Sequence, residues 1–148
     1  MIKLPDSLVD KTFDEQIRQG AVIYYVGFQF DTEIKNKFLV LLNHDCSQSE
    51  IYYFLTTSQT KFYESTRKFK KYFVLVPENI VSFFPLLTLL DCTYVEWISR
   101  DKLREKYGNR ELEFKGMLPE IFMTKVIDII KTSRLIPKRT KKLILGIE

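Results

Sequence analysis

The sequence predicts a single α+β domain, mainly β with helices at both ends. Its 148 residues match the usual length of one domain, and they are enough to bury a core without disulfides. Hydrophobic residues make up 45% of the chain, which argues against disorder. Several short stretches rich in β-branched and aromatic residues are separated by polar turns, a pattern typical of strands.

The first element that the sequence predicts is a helix over residues 6–19. Asp6 or Ser7 can cap its beginning, apolar residues recur at helical spacing, and Gly20 can end it. The chain then changes to a β-type composition. A helical extension therefore precedes the main body of the domain.

Five strands are predicted after this helix. Short polar turns link the first three strands, which favours an antiparallel meander. Five short strands with tight turns can curl into a small barrel, so we expect one antiparallel sheet of this shape. The strands are predicted at 21–30, 37–43, 50–57, 72–76 and 88–98.

The remainder of the chain is predicted to be mostly helical. A short helix over 101–107 and a loop over 109–116 lead to the clearest helix, 117–133, whose apolar stripe should lie under the curled sheet. Residues 134–148 are predicted to form a basic tail with an apolar patch. The predicted organisation is one domain with three parts, namely a helical extension (1–19), a barrel with its closing helix (20–133) and a basic tail (134–148).

Composition excludes several classes of protein. No apolar run approaches the ~20 residues that span a bilayer, and no signal peptide follows Met1, so a cytoplasmic protein without a membrane partner is expected. Two cysteines, Cys46 and Cys92, and one histidine are too few for a disulfide scaffold or a usual zinc site. The glycines form no nucleotide-binding loop. We therefore expect neither a metal nor a cofactor.

Two short segments are candidates for chemistry at strand ends. Lys37 begins the second strand, where it is either a solvated turn lysine or a cation that binds a phosphate. Thr56, Thr57, Ser58 and Gln59 lie at the end of the third strand, where their polar groups either satisfy the turn or bind a phosphate or a ribose.

A basic segment and a lone histidine complete the candidates. Residues 61–71 interleave cations, which neutralise phosphates, with aromatic rings, which stack on bases. A solvated loop with a few buried rings would have the same composition. The basic tail allows both interpretations too. His44 is either a strand-end residue or a general acid or base. The candidate RNA-binding cations of the segment are Lys61, Arg67, Lys68, Lys70 and Lys71.

The order of elements resembles that of the MazF/PemK-like toxins. The stretch 20–26 (GAVIYYV) is similar to the opening strand of that family, and 91–98 (DCTYVEWI) to its late strand. Lys37, followed by Phe38, stands where the family has its catalytic Arg followed by Pro, and Thr57 stands at its catalytic Thr. The similarity runs from about Gly20 to Ser133.

This resemblance implies an SH3-like barrel, a homodimer and an antitoxin partner. It also implies metal-independent cleavage of single-stranded RNA, with Lys37 and Thr57 as the catalytic residues. Lys lacks the planar fork with which Arg binds a phosphate. The alternative is therefore an inactive relative that binds RNA or a protein through the same groove.

Overall fold

The computed structural model describes residues 5–30, 32–58 and 67–147. Within these ranges the helices are α1 (Asp6–Gln16), α2 (Arg100–Gly108), α3 (Glu120–Thr132) and α4 (Lys138–Leu145), and a 3₁₀ helix spans Arg67–Tyr72. The strands are β1 (Ala21–Phe30), β2 (Glu33–Leu41), β3 (Glu50–Thr57), β4 (Phe73–Val76), β5 (Thr88–Asp91), β6 (Glu96–Ser99) and β7 (Leu112–Met117).

The strands form an antiparallel sheet that curls into a half-barrel. Its order is β4-β5-β3-β2-β1-β7, and β6 lies beside the first half of β3. Neither the order nor the register contains a parallel pair within the described ranges. The α+β class and the curled antiparallel sheet are therefore confirmed, as are the bounds of β1 and β3, whereas closure into a complete barrel stays a prediction.

The prediction of one strand over 88–98 was wrong, because this stretch is interrupted. β3 pairs with β5 through Thr56 and Leu90 but with β6 through Tyr53 and Glu96, so the second register is offset by three residues. The three extra residues lie within 92–95, where the Asp91 carboxylate accepts a hydrogen bond from the Thr93 backbone N–H at 3.0 Å. Such a bulge lets one strand turn around the edge of a curled sheet.

Both faces of the sheet are covered, which explains why its central strands are almost continuously apolar. Val40 and Phe54 face a core that includes Val126 of α3 and Ile144 of α4. Leu39 and Leu41 face the other way, into a core that α1 and α2 share. Because successive side chains of a strand point to opposite faces, a strand with two covered faces loses its polar alternation.

The loop predicted over 109–116 is instead largely strand β7. It pairs with β1 from Ala21 opposite Met117 to Tyr25 opposite Leu112. Leu112 is buried and Phe114 half-buried, while Glu113 and Lys115, which follow them in alternation, are exposed. The alternation in the sequence therefore matches a strand with one covered face.

The basic tail predicted over 134–148 contains helix α4. Ile136, Thr140 and Ile144 recur every four residues and are buried. Gly146 ends the helix in a left-handed conformation (φ 69°), which glycine adopts at little cost. The Gln19 side chain donates hydrogen bonds of 2.8 Å to the carbonyls of Leu42 and Ile144, which joins α4 to β2.

The N-terminal helix packs on the sheet together with α2. Val9 and Phe13 of α1 are buried. Asp14 and Asp10 pair with Arg100 and Arg104 of α2. None of the helices in the described ranges is both long and apolar enough to cross a membrane.

Candidate functional site

A pocket of about 330 Å³ opens between the ends of β2 and β3 and the loop that precedes β5. Its lining includes two lysines, four residues that carry a hydroxyl, and a wall of aromatic and aliphatic residues. The lining residues are Lys35, Asn36, Lys37, Phe38, Thr56, Thr57, Ser58, Phe83, Phe84, Pro85, Leu86 and Thr88.

Lys37 and Thr57 reach the same pocket because of the β2–β3 register. The pairing of these strands runs from Leu41 opposite Tyr53 to Leu39 opposite Leu55. Continuing the same register by two residues sets Lys37 against Thr57, and both residues line the pocket. The strands therefore bring a cation and a hydroxyl to one edge of the sheet, as the antiparallel order predicts.

A bulge in the β1–β2 hairpin positions the lysines. Tyr25 pairs with Lys37 but Phe28 with Lys35, so β1 contains one extra residue between these pairs. Gly27 adopts φ 73° there, and its N–H donates a 3.0 Å hydrogen bond to the side-chain oxygen of Asn36. The bulge increases the local twist of the hairpin at the pocket.

The two lysines of the pocket have different electrostatic surroundings. Lys37 is half-buried, and its burial, reinforced by the neighbouring Lys35 ammonium, holds its pKa below the ordinary lysine value. Glu33 opposes this shift. Lys35 forms an ion pair with Glu33, with 2.7 Å between Nζ and Oε2, and the hydrogen bond from Lys35 lowers the pKa of that carboxyl. An anion in the pocket would favour the charged form of Lys37.

The aromatic wall is held in place by contacts with the sheet. The ring centroids of Phe38 and Phe84 lie 5.6 Å apart, and those of Phe83 and Phe84 lie 4.8 Å apart. Phe83 also packs on Gly116 of β7, where a Cβ would come within 2.7 Å of its ring. Edge-to-face pairs of this kind add to the energy of burial.

Of the residues predicted from sequence, the pocket brings together Lys37, Thr57 and Ser58. His44 is not among its lining residues. The His44 backbone N–H donates to the Leu143 carbonyl at 3.2 Å, and its ring lies beside Gly146 at the end of α4.

The predicted basic segment is only partly described. Gln59 and Lys61 lie outside the described residues, and Arg67 and Lys68 belong to the 3₁₀ helix. Lys70 and Lys71 are exposed at the end of that helix and are not among the residues that line the pocket.

Sequence reasoning missed several residues of the pocket. Lys35 precedes Lys37 by two residues, and a Lys-x-Lys spacing within a strand was a usable signal, because such residues share a face. Thr56 was noted only as part of a polar strand exit. Phe83 and Phe84 come from a stretch that looks irregular in the sequence, and no local pattern connects them to Lys37.

The arrangement can bind an anion. Lys37 and Thr57 lie on the same face of the sheet as Leu39 and Leu55, where a partly desolvated ammonium and a hydroxyl suit phosphate oxygens. Phe38 lies on the opposite face of β2, with Val40 and Phe84. Within the described ranges, no group of three His, Cys, Asp or Glu side chains could hold a metal ion. No protein-family model and no curated protein sequence matches this chain.

Proposed function

We propose that this protein is a toxin-like endoribonuclease that cleaves single-stranded RNA in the pocket between β2 and β3, with Lys37 and Thr57 binding the phosphodiester that is cut. The observation that supports this proposal is that a half-buried ammonium and a hydroxyl from neighbouring strands line one pocket. The metal-independent reaction, the SH3-like barrel and the cytoplasmic location follow from the resemblance to the MazF/PemK-like toxins.

In the proposed reaction the ribose 2′-hydroxyl attacks the adjacent phosphorus. A bond forms between the 2′-oxygen and phosphorus, the bond from phosphorus to the 5′-oxygen breaks, and the products carry a 2′,3′-cyclic phosphate and a 5′-hydroxyl. The proton of the 2′-hydroxyl passes to water, and the leaving 5′-oxygen takes a proton from water. Negative charge grows on the non-bridging oxygens, where Lys37 and Thr57 donate hydrogen bonds.

A cleavage assay with a matched uncleavable substrate tests this function. Purified protein is incubated in the presence of a chelator with single-stranded RNA or with the same sequence in 2′-O-methyl form. We expect defined cuts with cyclic phosphate ends in the RNA and none in the 2′-O-methyl strand, which lacks the nucleophile. Cuts in both strands, or cuts in neither strand, contradict the proposed reaction.

The second candidate function is RNA binding without cleavage. It is favoured by the composition of the described residues that line this pocket, which include no His, Asp or Glu, the common acids and bases of proton transfer. It predicts that both strands bind with similar affinity and that neither is cut. If neither strand binds, both candidate functions fail.

The pKa of Lys37 gives the proposed site a pH signature. The ammonium is the binding form, and its pKa lies below the ordinary lysine value because the side chain is partly buried. Affinity for the 2′-O-methyl strand should therefore decline, as the pH rises, earlier for the parent than for Lys37→Arg, since a guanidinium stays protonated. Fluorescence anisotropy between pH 7 and 11 measures the two profiles. If they coincide, Lys37 does not bind the phosphate.

We also propose that the protein forms a homodimer and binds an antitoxin. Within the described residues β6 pairs with β3 alone, and Trp97 of β6 and Tyr94 just before it are 55% and 61% exposed. An unpaired edge with exposed rings is a surface that a second copy can cover. Light scattering at about tens of micromolar should give twice the mass of the chain, and a monomer would refute the dimer.

A further inference from the structure

The positive charge of the chain is concentrated in its C-terminal part. Residues 129–147 contain six basic residues and no acidic one. The whole chain has 23 basic and 19 acidic residues, so the part outside 129–147 has a net charge of −2. Such segregation creates a positive electrostatic potential over one surface of the protein, rather than a weak positive potential over the whole surface.

The fold joins this segment to the end of the 3₁₀ helix. Lys71 and Tyr72 line a cleft of about 200 Å³ together with Thr132 and Arg134. Lys141 of α4 donates a 3.1 Å hydrogen bond to the carbonyl of Lys131 at the end of α3. Three elements therefore contribute cations to one surface, here called the basic C-terminal surface. Its residues are Lys71, Lys131, Arg134, Lys138, Lys141 and Lys142.

These cations receive little internal compensation. The ion pair that reaches α4 in the described ranges joins Arg139 to Glu50 at 3.3 Å. The first turn of α4 begins with Lys138 and Arg139, contains no acidic residue and has no side-chain cap. Positive charge at a helix N-terminus is unfavourable, because the helix dipole is positive there. A bound anion would relieve this repulsion.

We infer that the basic C-terminal surface binds the phosphate backbone of a nucleic-acid strand. Tyr72 is buried beneath it, so the surface presents exposed ammonium and guanidinium groups rather than an aromatic anchor. Such a surface suits sequence-independent contacts to phosphates, which lysine and arginine side chains make without reading the bases.

This surface is separate from the pocket and does not depend on cleavage. Thr88, which lines the pocket, pairs with Val76 at one end of the β4–β5 ladder, and Phe73 pairs with Asp91 at the other end, next to Tyr72. At about 3.3 Å per residue the ladder is roughly 10 Å long. A strand can therefore bind the surface whether or not the pocket cuts it.

The test is the salt dependence of binding to a single-stranded 2′-O-methyl RNA, measured by anisotropy. Each phosphate contact contributes about 0.7 to the slope of log affinity against log salt. The triple variant Arg134→Gln, Lys138→Gln, Lys142→Gln should lower that slope by about 2, so that its loss of affinity relative to the parent grows about 100-fold for each tenfold fall in salt. These three side chains are exposed, so the variant should keep its fold.

A matched triple variant on the other face of the sheet provides the control. Lys11→Gln, Arg18→Gln, Lys102→Gln removes the same charge from exposed positions in α1, the turn after it and α2, and should leave the slope within about 0.5 of the parent. Equal losses in the two triple variants would overturn the inference, because only net charge would then matter. Displacement of the RNA by poly-glutamate at equal charge would also overturn it, in favour of an acidic protein partner.

Discussion

Lys37→Ala should lower the rate of RNA cleavage by about 10²- to 10³-fold, the usual cost of losing one donor to a transition-state oxyanion. The side chain is half-buried at the end of a strand and lines the pocket together with Thr57. Removing its ammonium leaves the growing charge on the phosphate without its nearest buried cation. Single-turnover cleavage of a labelled RNA by the purified variant measures the loss.

Three further variants separate catalysis from folding and from general charge. Lys37→Arg should keep or raise activity, because the guanidinium can make two parallel bonds to a phosphate. Thr57→Ala should slow cleavage as well. Lys102 is an exposed lysine of α2 that is distant from the pocket in the sequence and is not among its lining residues. The variant Lys102→Ala should therefore cleave RNA at the parent rate. If the parent cuts RNA and the variants of both Lys37 and Thr57 cut it equally fast, the catalytic site lies elsewhere.

The central part of the fold is predictable because its sequence signals are local. β1 and β3 combine β-branched and aromatic residues over eight or more positions, bounded by polar turns, and their observed limits match the predicted ones. The second strand begins earlier than predicted, at Glu33 rather than Lys37. Its first four residues are exposed, three of them are polar, and pairing with β1 alone, rather than burial, makes them a strand.

The missed elements depend on contacts between distant parts of the chain. β7 is short, and its strand state follows from pairing with β1, although the alternation of Leu112 and Phe114 with charged residues was visible. α4 looked like a solvated tail because its cations dominate the composition. Yet Ile136, Thr140 and Ile144 have the spacing of a buried helical stripe, with Pro137 before the helix and Gly146 after it.

The candidate site divides in the same way. Lys37 and Thr57 could be placed together in advance, because an antiparallel connection between consecutive strands fixes which ends meet. The positions of Phe83 and Phe84 could not be predicted, since they reach the pocket through packing on Phe38 and Gly116 rather than through any nearby motif. A polar half of the pocket is therefore encoded locally, and an apolar half is supplied by the tertiary fold.

Ile144→Ala should lower the free energy of unfolding by about 2–5 kcal/mol, the usual range for truncating a fully buried isoleucine. Ile144 has no exposed surface and packs into the core that contains Val40, Phe54 and Val126. The truncation leaves a cavity between α4 and the sheet, and α4 itself is too short to be stable alone. Urea unfolding followed by circular dichroism measures the change.

The matched control is Ile147→Ala, three residues further along the chain. Its side chain is 57% exposed, so the same truncation should change the free energy of unfolding by less than about 0.5 kcal/mol. A large difference between the two variants means that the C-terminal segment is part of the folded core, and that its cations are displayed on a rigid helix. If Ile144→Ala is as stable as the parent, α4 does not dock on the sheet in solution, and the basic C-terminal surface loses the platform that holds its residues together.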